Sequence, residues 1–78
     1  MATKLIHVQW LDSAAPADSS WHKKDELDIR PLKCDTVGIL VDEDNLQVSV
    51  ASCVMENGLL YGVITIPKCS ILKRRRVN

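Results

Sequence analysis

Residues 46–66 read LQVSVASCVMENGLLYGVITI, two apolar runs joined at Asn57-Gly58, and this stretch decides the fold class. Asn-Gly between apolar runs is a strong hairpin signal, because both residues tolerate positive φ. On the near side Leu46, Val48 and Val50 alternate with Gln47 and Ser49, the period of two of a half-covered strand. This strand is expected to run to about Met55. On the far side Leu59 to Ile66 is apolar on both faces, the pattern of a strand covered from two sides or meeting another subunit.

The same alternation continues outward in both directions. Leu32 to Val41 places Val37, Ile39 and Val41 on an expected core face, with Cys34, Thr36 and Gly38 opposite,. Asp42-Glu43-Asp44-Asn45 then forms a hydrophilic turn. Lys4 to Leu11 reads as the first strand, with Ile6, Val8 and Trp10 inside and Leu5, His7 and Gln9 outside. After Ile66, Pro67-Lys68-Cys69-Ser70 interrupts the ladder, since proline has no amide proton to donate. Ile71 to Val77 makes a short last strand, frayed by Lys73-Arg74-Arg75-Arg76.

Asp12 to Pro31 is a connection of about twenty residues, long for so small a domain and of a kind that often carries function. Its first part, D-S-A-A-P-A-D-S-S, is loop chemistry,. The part from Trp21 suits a single helical turn capped by Ser20, with Leu27 and Ile29 expected to pin the loop to the body of the fold.

The chain has 78 residues and is 46% hydrophobic, which supports one core and one domain spanning 1–78. It has no Phe, two Trp and one Tyr, so Val, Ile and Leu must build that core. Stability of roughly 3 to 5 kcal/mol is expected at this size, and self-association is an expected route to further burial. Ten basic and ten acidic residues cancel, so no global field draws the protein to nucleic acid or to an anionic membrane. Residues 57–78 nevertheless hold five basic side chains and no acid, and 73–78 form a basic C-terminal end.

Met1 to Trp10 lacks the apolar core and small-residue cleavage site of a signal peptide, and no apolar run has bilayer-spanning length. A cytoplasmic protein is the expectation. Cys34, Cys53 and Cys69 are then reduced thiols, at least some of them acting as small apolar fillers. They form no C-x-x-C pair, and His7 and His22 are isolated, so neither a metal nor another cofactor is expected.

Five short strands, a long first loop, two tight hairpins and a Pro-marked turn before the last strand resemble an SH3-like β-barrel. Gly62, then Ile66-Pro67-Lys68, then Ile71 is similar to the passage of such barrels through a short 3-10 turn into the fifth strand. The W-x-D-S at Trp10 to Ser13, Trp21, the G-x-L-V-x-E-D at Gly38 to Asp44 and the I-P-K at Ile66 to Lys68 also resemble small uncharacterised proteins encoded by phages and prophages. That resemblance implies a setting in a host cytoplasm and no particular activity. The aromatic-rich first strand and Trp pair of peptide-binding SH3 domains are missing from their places, so polyproline recognition is not expected.

Catalysis finds no support in the motifs: there is no G-x-S-x-G, no phosphate-cradling glycine loop, no H-E-x-x-H and no cysteine with a clear histidine partner. An enzyme is not expected. Asp25, Glu26 and Asp28 read as a solvated face. Trp21, followed by His22-Lys23-Lys24, suits an aromatic anchor with cationic neighbours; the plainer expectation is a lid folded over a core poor in aromatics. Trp10 reads as core and Tyr61 as either core or contact.

The expected function is therefore a non-catalytic binding protein, a phage-type accessory or counter-defence factor that binds a host protein or sequesters a small nucleotide signal. Its contact residues would be Trp21, His22, Lys23, Lys24, Tyr61, Arg74, Arg75 and Arg76. The alternative is a small nucleic-acid-binding β-barrel using the basic end and Trp21.

Overall fold

A computed structural model describes residues 3–16 and 20–78. The strands are β1 (Leu5–Asp12), β2 (Leu32–Glu43), β3 (Gln47–Ala51), β4 (Cys53–Val54), β5 (Leu60–Tyr61), β6 (Ile64–Pro67) and β7 (Ile71–Arg76). Two 3-10 turns, Lys24–Glu26 and Lys68–Ser70, complete the regular structure. Five strands make one antiparallel sheet in the order β6-β3-β2-β1-β7, and β4 with β5 makes a separate two-stranded one. The mainly-β expectation and the turn before the last strand are both present. No hydrogen-bonded ladder joins β6 to β7 among the described residues, so the five-stranded sheet has two edges.

Directly opposed residues on antiparallel strands share a face, which makes the register decisive. Ile6 lies opposite Gly38 and Val8 opposite Thr36. Because Ile6 and Val8 are buried, the even-numbered residues of β2 from Cys34 to Leu40 point inward. The core is Ile6, Val8, Val48, Val50 and Ile66, with Trp10, Leu40, Ile64 and Ile71 packed against it. Trp10 is tied down as well, its Nε1 donating to Thr36 Oγ1 at 3.0 Å.

This register corrects the expected core face of the second strand. Val37 is 63% exposed, while Gly38, assigned to the outer face, is buried. Both faces of this strand carry apolar residues, so alternation identifies the faces without saying which one is covered. A bulge between Leu40 and Asp42 then sets the end of β2 apart from its beginning. Leu46, expected inside, is exposed; it sits in the turn where Asp44 Oδ1 accepts from the amides of Leu46 and Gln47. Ser49, expected outside, is buried and shares a 2.8 Å hydrogen bond with Thr65.

The long hairpin around Asn57-Gly58 forms as read, but it is bent. Val50 opposes Ile64, and beyond the bend Cys53 opposes Tyr61 and Val54 opposes Leu60, so one register runs through both halves. The bend falls at Ser52 and Gly62. Gly62 has φ 66, the left-handed region that favours glycine, and a Cβ there would lie 2.6 Å from Ser52 Oγ, so a larger residue would be strained and would displace the Ser52 side chain. The expected continuous strands 46–55 and 59–66 are therefore each split, and β4–β5 becomes an arm carried beyond the sheet.

Two other local expectations are corrected. The Lys24–Glu26 turn has Lys23 as its N-cap residue and no side-chain cap, so Ser20 does not cap it. Leu27 and Ile29 are exposed and do not pin the loop. With the loop and the arm both outlying, the radius of gyration is 16.1 Å, against about 11 to 12 Å for a compact domain of this length.

Gly38 is where the sheet's inner face is tightest: a Cβ there would lie 2.9 Å from the Ala51 carbonyl oxygen and 3.3 Å from Val50 Cβ. Gly38→Ala should destabilise the fold by about 1 to 3 kcal/mol through overpacking against backbone, read from urea denaturation. An unchanged midpoint would contradict this register.

Candidate functional site

Strand alternation separates the basic residues of β7 into two sets. Arg74 lies opposite Val8, on the core side, while Lys73 and Arg75 lie opposite Gln9 and His7 on the outer face. The three arginines expected to act together are thus divided.

Arg74 is already engaged. Its guanidinium forks onto Glu43 at the end of β2, with Nη1 donating to Oε2 at 2.8 Å and Nη2 to Oε1 at 3.1 Å. Lys68 Nζ approaches Glu43 Oε2 at 2.8 Å from the 3-10 turn. Hydrogen bonds from Arg74 and then Lys68 hold the Glu43 carboxyl down from about 4.5 to about 2. The three groups join the end of β2 to β7 and to the turn before it, and they read as structural ties, since bidentate Arg–carboxylate pairs add geometric specificity as well as energy. Arg76 donates from Nε to Asn78 Oδ1 at 3.4 Å.

On the outer face His7, Gln9, Lys73 and Arg75 line a shallow cleft of about 560 Å³, which Arg74 between them also borders. His7 Nε2 is 2.8 Å from Asp35 Oδ1, and this bond to the next strand orients the imidazole. Neither Lys73 nor Arg75 has an ion-pair partner among the described residues. This grouping was not foreseen; its signal was the alternation of 73 and 75 against 74 and 76, which acquires meaning only once β7 is paired with β1.

Trp21 is fully exposed, 101%, so the lid expectation is overturned. His22, Lys23 and Lys24 are exposed beside it. Asp25, Glu26 and Asp28 are exposed too, as read, with Arg30 Nε 3.9 Å from Asp28 Oδ1. Tyr61 is 77% exposed on β5. The expected contact residues therefore occupy three separate elements: the first loop, the arm, and β7.

A second groove, about 740 Å³, runs between the arm and β2. Its apolar walls are Ile39, Leu40, Val41, Val54, Met55 and Leu60, with Lys4 and Glu56 on it as well. The cysteines are free; Cys53 and Cys69 are exposed and Cys34 half-buried, so the first two are not core fillers.

No family model, curated protein or solved structure matches the chain. Among the described residues no helix is long and apolar enough to cross a membrane.

The Glu43 tie has a pH signature. Its carboxyl is depressed in the fold, so its stabilisation is present above about pH 4.5 and is lost as pH falls toward 2,. The melting-temperature gap between the parent protein and Glu43→Gln should be wide at about pH 6 and shrink through that window. Thermal melts followed by circular dichroism check this, and a gap of constant width would refute it.

Proposed function

We propose that this protein is a non-catalytic binding protein whose first loop engages a protein partner, in the manner of a phage-type accessory or counter-defence factor acting on a host protein. One observation carries the reading. Trp21 is fully exposed, with Leu27 and Ile29 exposed on the same loop, and large apolar side chains left uncovered on an outlying segment are what a binding hot spot requires. The sheet order β6-β3-β2-β1-β7, the long β1–β2 connection and the 3-10 turn into β7 support an SH3-like architecture for the body that presents the loop. Such a binder needs no cofactor and no reacting group, only a surface held in place. A protein partner is preferred to a small nucleotide because neither of the two clefts is lined by Trp21 or Tyr61, so no aromatic platform stands beside the cationic cleft.

A second reading, binding of nucleic acid or another phosphate-bearing ligand, is supported by the cleft itself. Lys73 and Arg75 lie beside His7 and Gln9 on the outer face, and cations without an ion-pair partner among the described residues suit phosphates.

The two readings separate experimentally. Trp21→Ala should weaken capture of the partner from host lysate by at least roughly 30-fold, about 2 kcal/mol, while moving the melting temperature hardly at all. A large loss of stability with capture intact would remove the loop from the contact. If the second reading holds, Lys73→Ala/Arg75→Ala abolishes retention of a random oligonucleotide and flattens its salt dependence; unchanged retention would dismiss it.

A further inference from the structure

We propose that the β4–β5 arm is the contact of a twofold homodimer, each copy's arm seated on the other's arm–β2 groove. The inference stands apart from the partner reading of the first loop, because it uses a different surface.

The arm cannot be stable for its own sake. It is a two-stranded ribbon of two residues per strand, and isolated two-stranded ribbons are marginal in water at best. Yet it is apolar. Of the fourteen large apolar side chains exposed among the described residues, six lie between Val54 and Val63: Val54, Met55, Leu59, Leu60, Tyr61 and Val63. Val54 and Leu60 oppose one another and both line the groove with Ile39, Leu40 and Val41, while Cys53 and Tyr61 occupy the other face. Both faces are therefore short of cover, and the hydrophilic composition that usually protects an edge ribbon is missing.

The area matches a second copy. A compact monomer of 8.7 kDa exposes about 4,700 Å², so the 6408 Å² found here leaves an excess of about 1,700 Å². A standard interface takes about 800 Å² from each partner, roughly half of that excess, which leaves the first loop free for another task.

The charges also match a second copy. Lys4 and Glu56 are the charged residues lining the groove, they are opposite in sign, and neither has an ion-pair partner among the described residues. A twofold contact sets a patch against itself. An axis through the groove then places Lys4 of each copy beside Glu56 of the other, two complementary pairs around an apolar centre. A patch carrying one charge of each sign suits its own copy, whereas a strongly charged foreign surface would leave one of the two opposed.

The test is sedimentation equilibrium and native mass spectrometry of the full chain across the micromolar range. The parent protein should be a dimer of twice 8.7 kDa. Leu60→Lys should give a folded monomer, since Leu60 lies outside the core. Lys4→Glu and Glu56→Lys should each weaken self-association at least tenfold. An equimolar mixture of those two, one of them isotope-labelled, should restore a heterodimer, because every Lys–Glu pair is regenerated between unlike chains. Trp21→Ala should dimerise as the parent does, so loss of partner capture and loss of dimer remain distinguishable. A parent chain that stays monomeric, or a mixture with no heterodimer, overturns the proposal.

Discussion

The path of β2 governs the rest of this structure. Its first part, Leu32 to Ile39, pairs with β1, and its last part, Ile39 to Glu43, pairs with β3. One twelve-residue strand thereby serves two neighbours and brings Ile6 and Val8 from one side against Val48, Val50 and Ile66 from the other. The end of that strand is held by Glu43, whose carboxylate receives both Arg74 and Lys68. Gly38 keeps the inner face clear where Ala51 crosses.

A core this small leaves a large part of the chain outside it. Residues 20–31 of the first loop and the β4–β5 arm lie outside that core, and each carries apolar side chains left exposed among the described residues. For a protein with so small a core, the proposed second copy on the arm and the proposed partner on the loop would each cover part of this exposed apolar surface. The basic residues follow a similar logic. Arg74 is spent on holding the fold, whereas Lys73 and Arg75, its sequence neighbours, face water and remain available for anions.

Much of this was legible beforehand. The Asn57-Gly58 hairpin, the first strand with Ile6, Val8 and Trp10 inside, the break at Pro67 and the last strand are all local patterns of period two punctuated by turn residues, while the 3-10 form of that break came from the resemblance to SH3-like barrels. The faces of β2 were not legible, because Val37, Ile39 and Val41 are more apolar than Cys34, Thr36 and Gly38, yet the second set lies inward. The exposure of the loop is illegible for a related reason: Trp21, Leu27 and Ile29 are apolar, and apolar residues in a small protein are expected to be covered. Of the candidate site, the sequence left Trp21 as lid or anchor and Tyr61 as core or contact, and the fold exposes both; the cleft of His7, Gln9, Lys73 and Arg75 depends on the pairing of β7 with β1 and was not legible.

What the amino-acid sequence determined by itself was the set of strands and turns, since alternation, Asn-Gly and Pro act over a few residues and need no distant partner. What the tertiary structure decided was which face of each strand is inside, where the long hairpin bends, and which of the adjacent basic residues are free. Those outcomes depend on register between strands far apart in the chain, and a displacement of one residue in that register exchanges every inward side chain for an outward one.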